Sequence, residues 1–388
     1  MTRDSHARRR VLIIQPTLRP PGGGQAVAAW TIEALQDQYD VGLLCWEQPD
    51  FAAVNRAYGT AIRGEALTIH LLSGAARRIG TVLPFRLALW HWAWLIRAAR
   101  RVAPEYDVLL STDNEVDLGR PAIQYVHYPR QLRPRPTADL RWYHRPAALV
   151  DAYYAACDAL APVSFERMSR NLTLANSEWT ARLLHTRYGF AHVVVAHPPV
   201  AGHFPDVPWE ARENGFLCIG RFSREKRLER VIAMMAAVRH HVPDVHLHLV
   251  GGRDSGSYYR RIKRLVRPHA SWVRIDEGLS RERLIDLISQ HRYGLHGMDE
   301  EHFGIAPAEM VRGGCIVFVP NSGGQVEIVG KDSSLVYDTT EDGIEKIVRT
   351  LTDPSHQTAL RAHLAARKEA FTPDRFMRAI TDAVRQFQ

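Results

Sequence analysis

The sequence predicts an α/β protein built from two Rossmann-like domains. Three observations carry this. Short apolar runs of the kind that form buried parallel strands, among them VLIIQ at 11–15 and CIVFV at 315–319, alternate with helix-length stretches. The alternation occurs twice, once on each side of residues 201–214, a segment with two prolines and no periodicity that suits a linker. The 388 residues suffice for two domains with full cores, and 46% hydrophobic with 24% charged residues is ordinary for a globular protein. The expected division is 1–200, a linker at 201–214, 215–370, and a terminal helix at 371–388.

In order along the first half, Val11–Gln15 reads as a buried strand, followed by the turn Pro20-Pro21-Gly22-Gly23-Gly24 and a helix from Gln25 to Gln36. Strand, glycine turn and helix open a doubly wound domain, yet the turn is not G-x-G-x-x-G, so no dinucleotide site is read here. VGLLC (41–45) and TIHLL (68–72) read as strands. Residues 84–102 read as a helix with Trp90, Trp92 and Trp94 and a basic tail, the composition of an interfacial segment, although tryptophans also fill cores. DVLLS (107–111) and AIQYV (122–126) read as strands, the second ending at His127. Because parallel sheets carry function at the carboxyl ends of their strands, His127 is a candidate, against the alternative of a satisfied structural histidine. The basic, aromatic segment 130–148 reads as a loop able to order on an anionic acceptor or as a solvated surface loop. A helix at 148–161, a strand at 172–176, a helix capped by Ser177 and a strand at 193–196 complete the half.

The second half opens on FLCI (216–219) and the loop GRFSREKR, in which Arg221 and Lys226 bracket the approach to a helix at 228–240. Two fixed cations can neutralise a leaving diphosphate. VHLHLV (245–250) repeats the strand-and-glycine pattern, and a helix at 258–267, a strand at 271–275, a helix at 281–290 capped by Ser280 and a strand at 293–296 follow. The stretch EEHFGIAPAEMVRGGCIVFVPNSGG (300–324) then organises everything before it. Glu301 and Glu309 stand eight positions apart around a helix start at Ala306, where Pro307 suits the first turn. Gly313-Gly314 ends that helix, Cys315–Val319 forms a strand, and Asn321-Ser322-Gly323-Gly324 makes a turn whose backbone N–H groups suit an anion. Carboxylates so placed can accept hydrogen bonds from sugar or ribose hydroxyls; alone, two solvated glutamates would be the blander account. Helices at 341–351, 356–369 and 373–386 close the chain.

Composition narrows the function. The four cysteines, at 45, 157, 218 and 315, lack CxxC spacing and read as buried thiols in a reducing cytoplasm. No metal-ligand spacing stands out among the 19 histidines. The net charge of +8 suits a phosphorylated substrate or an anionic membrane surface. No pattern of a nucleic-acid-binding module is present, so nucleic acid is not an expected partner. The N-terminus lacks the apolar core of a signal peptide, and the longest apolar run, 87–96, is too short to span a bilayer.

Residues 301–324 together with GR-x(4)-K at 220–226 resemble the signature of family-4 retaining glycosyltransferases of the GT-B fold, and within them are most similar to the α-1,2-mannosyltransferases that extend the dolichol-linked oligosaccharide. The resemblance spans about residues 215–330 and is thinner before them, where HYP (127–129), NSEWT (176–180) and the glycine turn match. It implies two domains facing across a cleft, the last helix crossing back to the first domain, and retaining hexosyl transfer from a nucleotide-diphospho sugar, GDP-mannose above UDP-sugars, to a glycan or lipid-linked acceptor. By the same resemblance Glu309 holds the ribose, Glu301 the donor sugar's hydroxyls, and the backbone from His302 through Phe303 and Gly304 to Ile305 positions that sugar. Arg221 and Lys226 stabilise the departing diphosphate, Ser322, Gly323 and Gly324 border the site, His127 touches the sugar, and Gly23 and Gly24 lie near donor phosphate and acceptor. No cofactor or metal is expected. The implied location is cytoplasmic, with peripheral contact at the inner membrane face. Phosphorylase or epimerase chemistry on the same fold would lack the two glutamates with the basic loop, and a non-catalytic nucleotide-sugar-binding partner would not need all four charged groups.

Overall fold

A computed structural model describes residues 8–20, 22–72, 88–129, 147–252 and 256–387. The chain divides into two compact units, Met1–Pro199 with Phe376–Gln388, and Val200–Arg375. The C-terminal helix Pro373–Gln386 thus contributes from Phe376 onward to the first unit, where the Phe376 ring lies 6.0 Å from that of Tyr125.

The first unit holds a seven-stranded sheet among the described residues, in the order β3-β2-β1-β4-β5-β6-β7, all parallel. The strands are β1 (Arg10–Ile14), β2 (Asp40–Cys45), β3 (Thr68–Leu71), β4 (Val108–Ser111), β5 (Ile123–Val126), β6 (Leu172–Ala175) and β7 (Val193–Val195). Val11, Leu12, Ile13 and Ile14 are all buried, as expected of a central strand covered on both faces. The order reverses between β1 and β4, so the turn after β1 and the segments after β4 and β5 emerge at one switch point. The helix after β1 is Gly23–Leu35, two residues earlier than its apolar period predicts.

In this unit one expectation changes and one falls almost wholly outside the described residues. Residues 84–87 of the tryptophan helix and 130–146 of the basic loop lie outside the described residues; the described helix is Ala88–Val102. Trp92 is buried and Trp90 and Trp94 pack partly buried against the same cluster of Leu95, Ile96 and Ala99, so these rings fill the core rather than form an exposed apolar face. No described helix is long and apolar enough to cross a membrane.

The second unit holds a six-stranded parallel sheet, β10-β9-β8-β11-β12-β13. Its strands are β8 (Glu213–Ile219), β9 (His246–Gly251), β10 (Val273–Glu277), β11 (His291–Leu295), β12 (Ile316–Pro320) and β13 (Val336–Tyr337). The reversal falls between β8 and β11, which places the loops after those two strands side by side. β8 begins at Glu213, inside the segment read as a linker, and that segment is packed. Trp209 is buried edge-on against Tyr293, ring centroids 5.7 Å apart, and Arg212 donates to the carbonyls of Val207 at 3.0 Å and Gly313 at 2.8 Å. Ser177 and Ser280 cap their helices as expected, accepting from Thr180 N–H and Arg283 N–H. All four cysteines are buried thiols.

Candidate functional site

In the second unit the loops on either side of the switch point meet through charge. The loop after β8 makes a short 3-10 turn, Arg224–Lys226, and Arg227 follows in the left-handed region at φ 47°. The loop after β11 runs from His296 to Gly304. Lys226 Nζ donates to Glu301 Oε2, and His296 Nε2 donates to the same oxygen at 3.1 Å. Beside this, Asp299 pairs with Arg227 at 2.6 Å and Arg230 at 2.9 Å, so the helix start and the loop are joined at two points. Lys226 and Glu301 are each mostly buried, with 16% of either side chain exposed.

Such burial raises a carboxylate's pKa, but the hydrogen bond from His296 and the positive charge of Lys226 outweigh it and hold Glu301 well below its ordinary range. Burial likewise lowers the pKa of His296 and keeps it neutral. An ionised carboxylate only accepts, so His296 carries its proton on Nε2. Both contacts fall on Oε2; among the described residues Oε1 of Glu301 accepts no hydrogen bond.

The turn after β12 fixes this loop from the other side. Gly324 N–H donates to Glu301 C=O at 2.7 Å, Glu300 N–H donates to Ser322 Oγ at 2.9 Å, and Glu301 and Gly323 form an isolated parallel bridge. Gly323 sits at φ 78°, and a Cβ there would lie 2.3 Å from Glu301 O. The turn therefore seizes the backbone that presents Glu301. The helix after it, Gln325–Ile328, has only four residues, and Gln325 is buried and bonded to the carbonyl of Met298 at 2.8 Å, again tying the turn to the loop.

The helix Ile305–Arg312 starts at Gly304, which takes φ 108°. Phe303 is buried against Phe371, ring centroids 5.8 Å apart, while His302 and Ile305 are half-buried. Glu309 lies on the buried side of the helix with Pro307, Ala308 and Met310. Arg281, the first residue of the preceding helix, pairs with its Oε1 and also donates to the carbonyl of Ala201. Among the described residues Oε2 of Glu309 accepts nothing. Arg221 stands apart from this set: its side chain is 65% exposed and pairs with Glu225 at 3.5 Å. Gly24 and His127 come together in the first unit, where a Cβ on Gly24 would touch His127 Nε2 at 3.4 Å. His127 N–H donates to Asn114 Oδ1 at 2.8 Å, its Nε2 lies 3.0 Å from Thr112 C=O, and Asn176 Nδ2 donates to its carbonyl at 2.9 Å. Gly23 opens the neighbouring helix.

Residues 202–369 match the family model "Glycosyl transferases group 1". Over that segment the chain is similar to the group 1 glycosyltransferases. The alpha-1,3/1,6-mannosyltransferase ALG2 of Mus musculus is 24% identical over 65% of this chain and 63% of its own length. The human GDP-Man:Man(3)GlcNAc(2)-PP-Dol alpha-1,2-mannosyltransferase is 25% identical over 47% of this chain and 41% of its own. The chain spans about half the length of the curated relatives it matches. Among solved structures, the sucrose-phosphate synthase of Thermosynechococcus elongatus superposes with a TM-score of 0.70 at 17% identity, covering 98% of this chain and 99% of that one. Anabaena HepE in complex with UDP and glucose gives 0.66 at 13%, covering 98% and 100%. These are likenesses of fold: two parallel-sheet Rossmann-like domains of the GT-B kind. His296, Asp299, Arg281 and Gln325 are the members of the site that sequence reasoning missed; their signal is tertiary, since nothing in the local sequence names their partners.

Two outcomes follow from this geometry. Gly323→Ala forces a left-handed, non-glycine residue against Glu301 and is expected to lower unfolding free energy by about 1–3 kcal/mol in a urea titration. Glu301, whose ordinary pKa is 4.5, has a depressed value in the fold, so its contribution to stability is present above that pH and lost as pH falls through the folded value. The stability gap between wild type and Glu301→Gln should therefore hold steady near neutrality and narrow progressively as pH falls below about 4.5, closing only below the folded value; a gap unchanged between pH 7 and about pH 3 would show that the carboxylate charge contributes nothing.

Proposed function

We propose that this chain is a retaining hexosyltransferase that moves mannose from GDP-mannose to a hydroxyl of a glycan or lipid-linked acceptor, with no metal at the reacting centre. One observation carries the reading: Glu301 and Glu309 each commit a single carboxylate oxygen to a protein cation, Lys226 and Arg281, and keep the other oxygen unbonded among the described residues. Carboxylates that serve only to balance charge have no need of an open acceptor; carboxylates that receive sugar or ribose hydroxyls do. The mannosyltransferases among the relatives support mannose as the sugar and a guanosine nucleotide as its carrier.

In this reading Glu301 Oε1 accepts from the donor sugar's hydroxyls, and Glu309 Oε2 from the ribose. Lys226 has three donors and gives one to Glu301, so the remaining N–H bonds face the diphosphate as charge grows on the breaking glycosidic bond. Arg221, exposed on the same loop, adds a second cation. The leaving phosphate helps deprotonate the acceptor hydroxyl on the same face of the sugar, which retains configuration. His127 meets the sugar, held in place by Thr112 and Asn114.

The test is a thermal-shift panel of GDP, UDP, ADP and their sugar conjugates on EDTA-treated protein, followed by transfer assays. A ligand that binds the native state alone raises Tm by mass action, so GDP and GDP-mannose are expected to raise it and UDP compounds to leave it unchanged. A shift with UDP compounds alone overturns the donor. Glu309→Ala and Lys226→Ala should each lower kcat/KM for transfer by a factor of about 100 or more. Lys226→Ala should also cost about 1–3 kcal/mol of stability, because it strips a partly buried carboxylate of its cation. Normal turnover in both variants would sink the site assignment.

A further inference from the structure

The opposite end of the same sheet carries a second constellation. Glu213, His246 and His291 are the first residues of β8, β9 and β11, three adjacent parallel strands, so all three lie at the N-terminal edge, away from the loops that hold Lys226 and Glu301. Glu213 sits opposite His291 in the β8–β11 register, and Gly215 opposite His246 in the β8–β9 register. His246 Nε2 is 3.1 Å from Glu213 Oε2 and 3.3 Å from His291 Nε2, and His291 Nε2 is 3.9 Å from Glu213 Oε2. Zinc binds imidazole nitrogen and carboxylate oxygen at about 2.0–2.2 Å, so two ligands at the tetrahedral angle stand roughly 3.3–3.6 Å apart. The three donor atoms already have nearly that spacing.

Their surroundings orient them as ligands. His291 Nδ1 donates to Leu287 C=O at 2.8 Å, which leaves the lone pair on Nε2 aimed at the other two residues. The His291 ring is wholly buried. Position 215 makes room for the second ligand, since a Cβ on Gly215 would lie 2.2 Å from His246 Nε2. His248 stands two residues along β9, but its Nε2 is 2.6 Å from Asp276 and is already engaged. Glu213 is 47% exposed and His246 24%, which gives an ion a way in and a water a place as the remaining ligand. Two imidazoles and one carboxylate suit a divalent ion of the zinc type better than the all-oxygen preference of Mg²⁺ or Ca²⁺.

We propose that Glu213, His246 and His291 form a Zn²⁺ site that clips β9, β8 and β11 together at the end of the sheet remote from the glycosyltransferase residues. Its role is structural, and the sugar-nucleotide chemistry does not pass through it.

The test uses the full chain without a histidine tag, stripped with EDTA and dialysed. Titration with ZnCl2 in a calorimeter should show one ion per chain, and Zn²⁺ should raise Tm while Mg²⁺ and Ca²⁺ do not. Co²⁺ should bind at the same site with the intense visible absorption of a four-coordinate N/O environment. Glu213→Gln and His246→Ala, both at partly exposed positions, should each weaken Zn²⁺ binding by more than about tenfold and remove the Tm increment, with the nucleotide-induced shift intact. Absence of Zn²⁺ binding to the wild type would overturn the proposal. So would wild-type affinity in both variants, which would place the ion on other histidines. If His246→Ala does not fold, Glu213→Gln alone decides.

Discussion

The ion pair between Lys226 and Glu301 is the constraint on which the second unit's candidate site depends. Taking two charges largely out of water is expensive, and their attraction repays it only when geometry is good and the remaining lone pairs are met. The fold supplies the geometry by topology and meets one of the two carboxylate oxygens, leaving Oε1 open among the described residues. Strand order reverses between β8 and β11, so residues 75 positions apart in sequence are brought to adjacent loops. A neutral His296 then supplies the second hydrogen bond to the same carboxylate oxygen. With Asp299 holding Arg227 and Arg230, the basic loop cannot drift from the acidic one without breaking several charged contacts together.

That arrangement has a chemical consequence. In the proposed reading, a cation fixed before any ligand arrives would stabilise developing negative charge without reorganising at the moment of reaction. The backbone clamp at Gly323 serves the same end for the partner carboxylate: the turn grips the main chain of Glu301, and the two side-chain contacts orient the carboxylate itself. Glu309 is held by a different route, from a helix start through Arg281, yet ends in the same condition of one engaged oxygen and one open one. Two independent supports converging on the same state argue that the open oxygens, rather than the ion pairs, are what the site is built to present.

Much of this was legible in the sequence, and the misses have a common cause. Parallel strands buried on both faces read as unbroken apolar runs, so VLIIQ, VGLLC, FLCI and CIVFV marked interior strands of their sheets. Several strand starts were misplaced where they are polar. β8 begins three residues before FLCI, at Glu213, and β11 begins at His291-Arg292 before the apolar Tyr293. Hydrophobicity cannot find such residues, because backbone pairing alone puts them in the sheet. The tryptophan helix shows the converse: aromatic rings beside arginines describe an interfacial helix and a core helix equally well, and only the neighbours of Trp92 decide between them. Lys226 and Glu301 were readable as candidates because a family pattern marks them. Arg281, Asp299 and His296 were not, since a partner chosen across the fold leaves no local trace.

Those polar strand starts also link the two ends of the sheet. β8 and β11 are neighbours, and each carries a functional loop at one end and a candidate zinc ligand at the other. The pairing between them is irregular, with a register shift between His291 and Tyr293. A shifted register is a weak point, because a slip by one residue turns every side chain on a strand to the other face. An ion held by Glu213 and His291 would pin that pairing on the N-terminal side of the irregularity, while Lys226 and Glu301 join the loops beyond it. The strand pair that delivers the site would then be fixed at both ends. Loss of the ion would be felt as loosened register and lower stability rather than as a change in the chemistry.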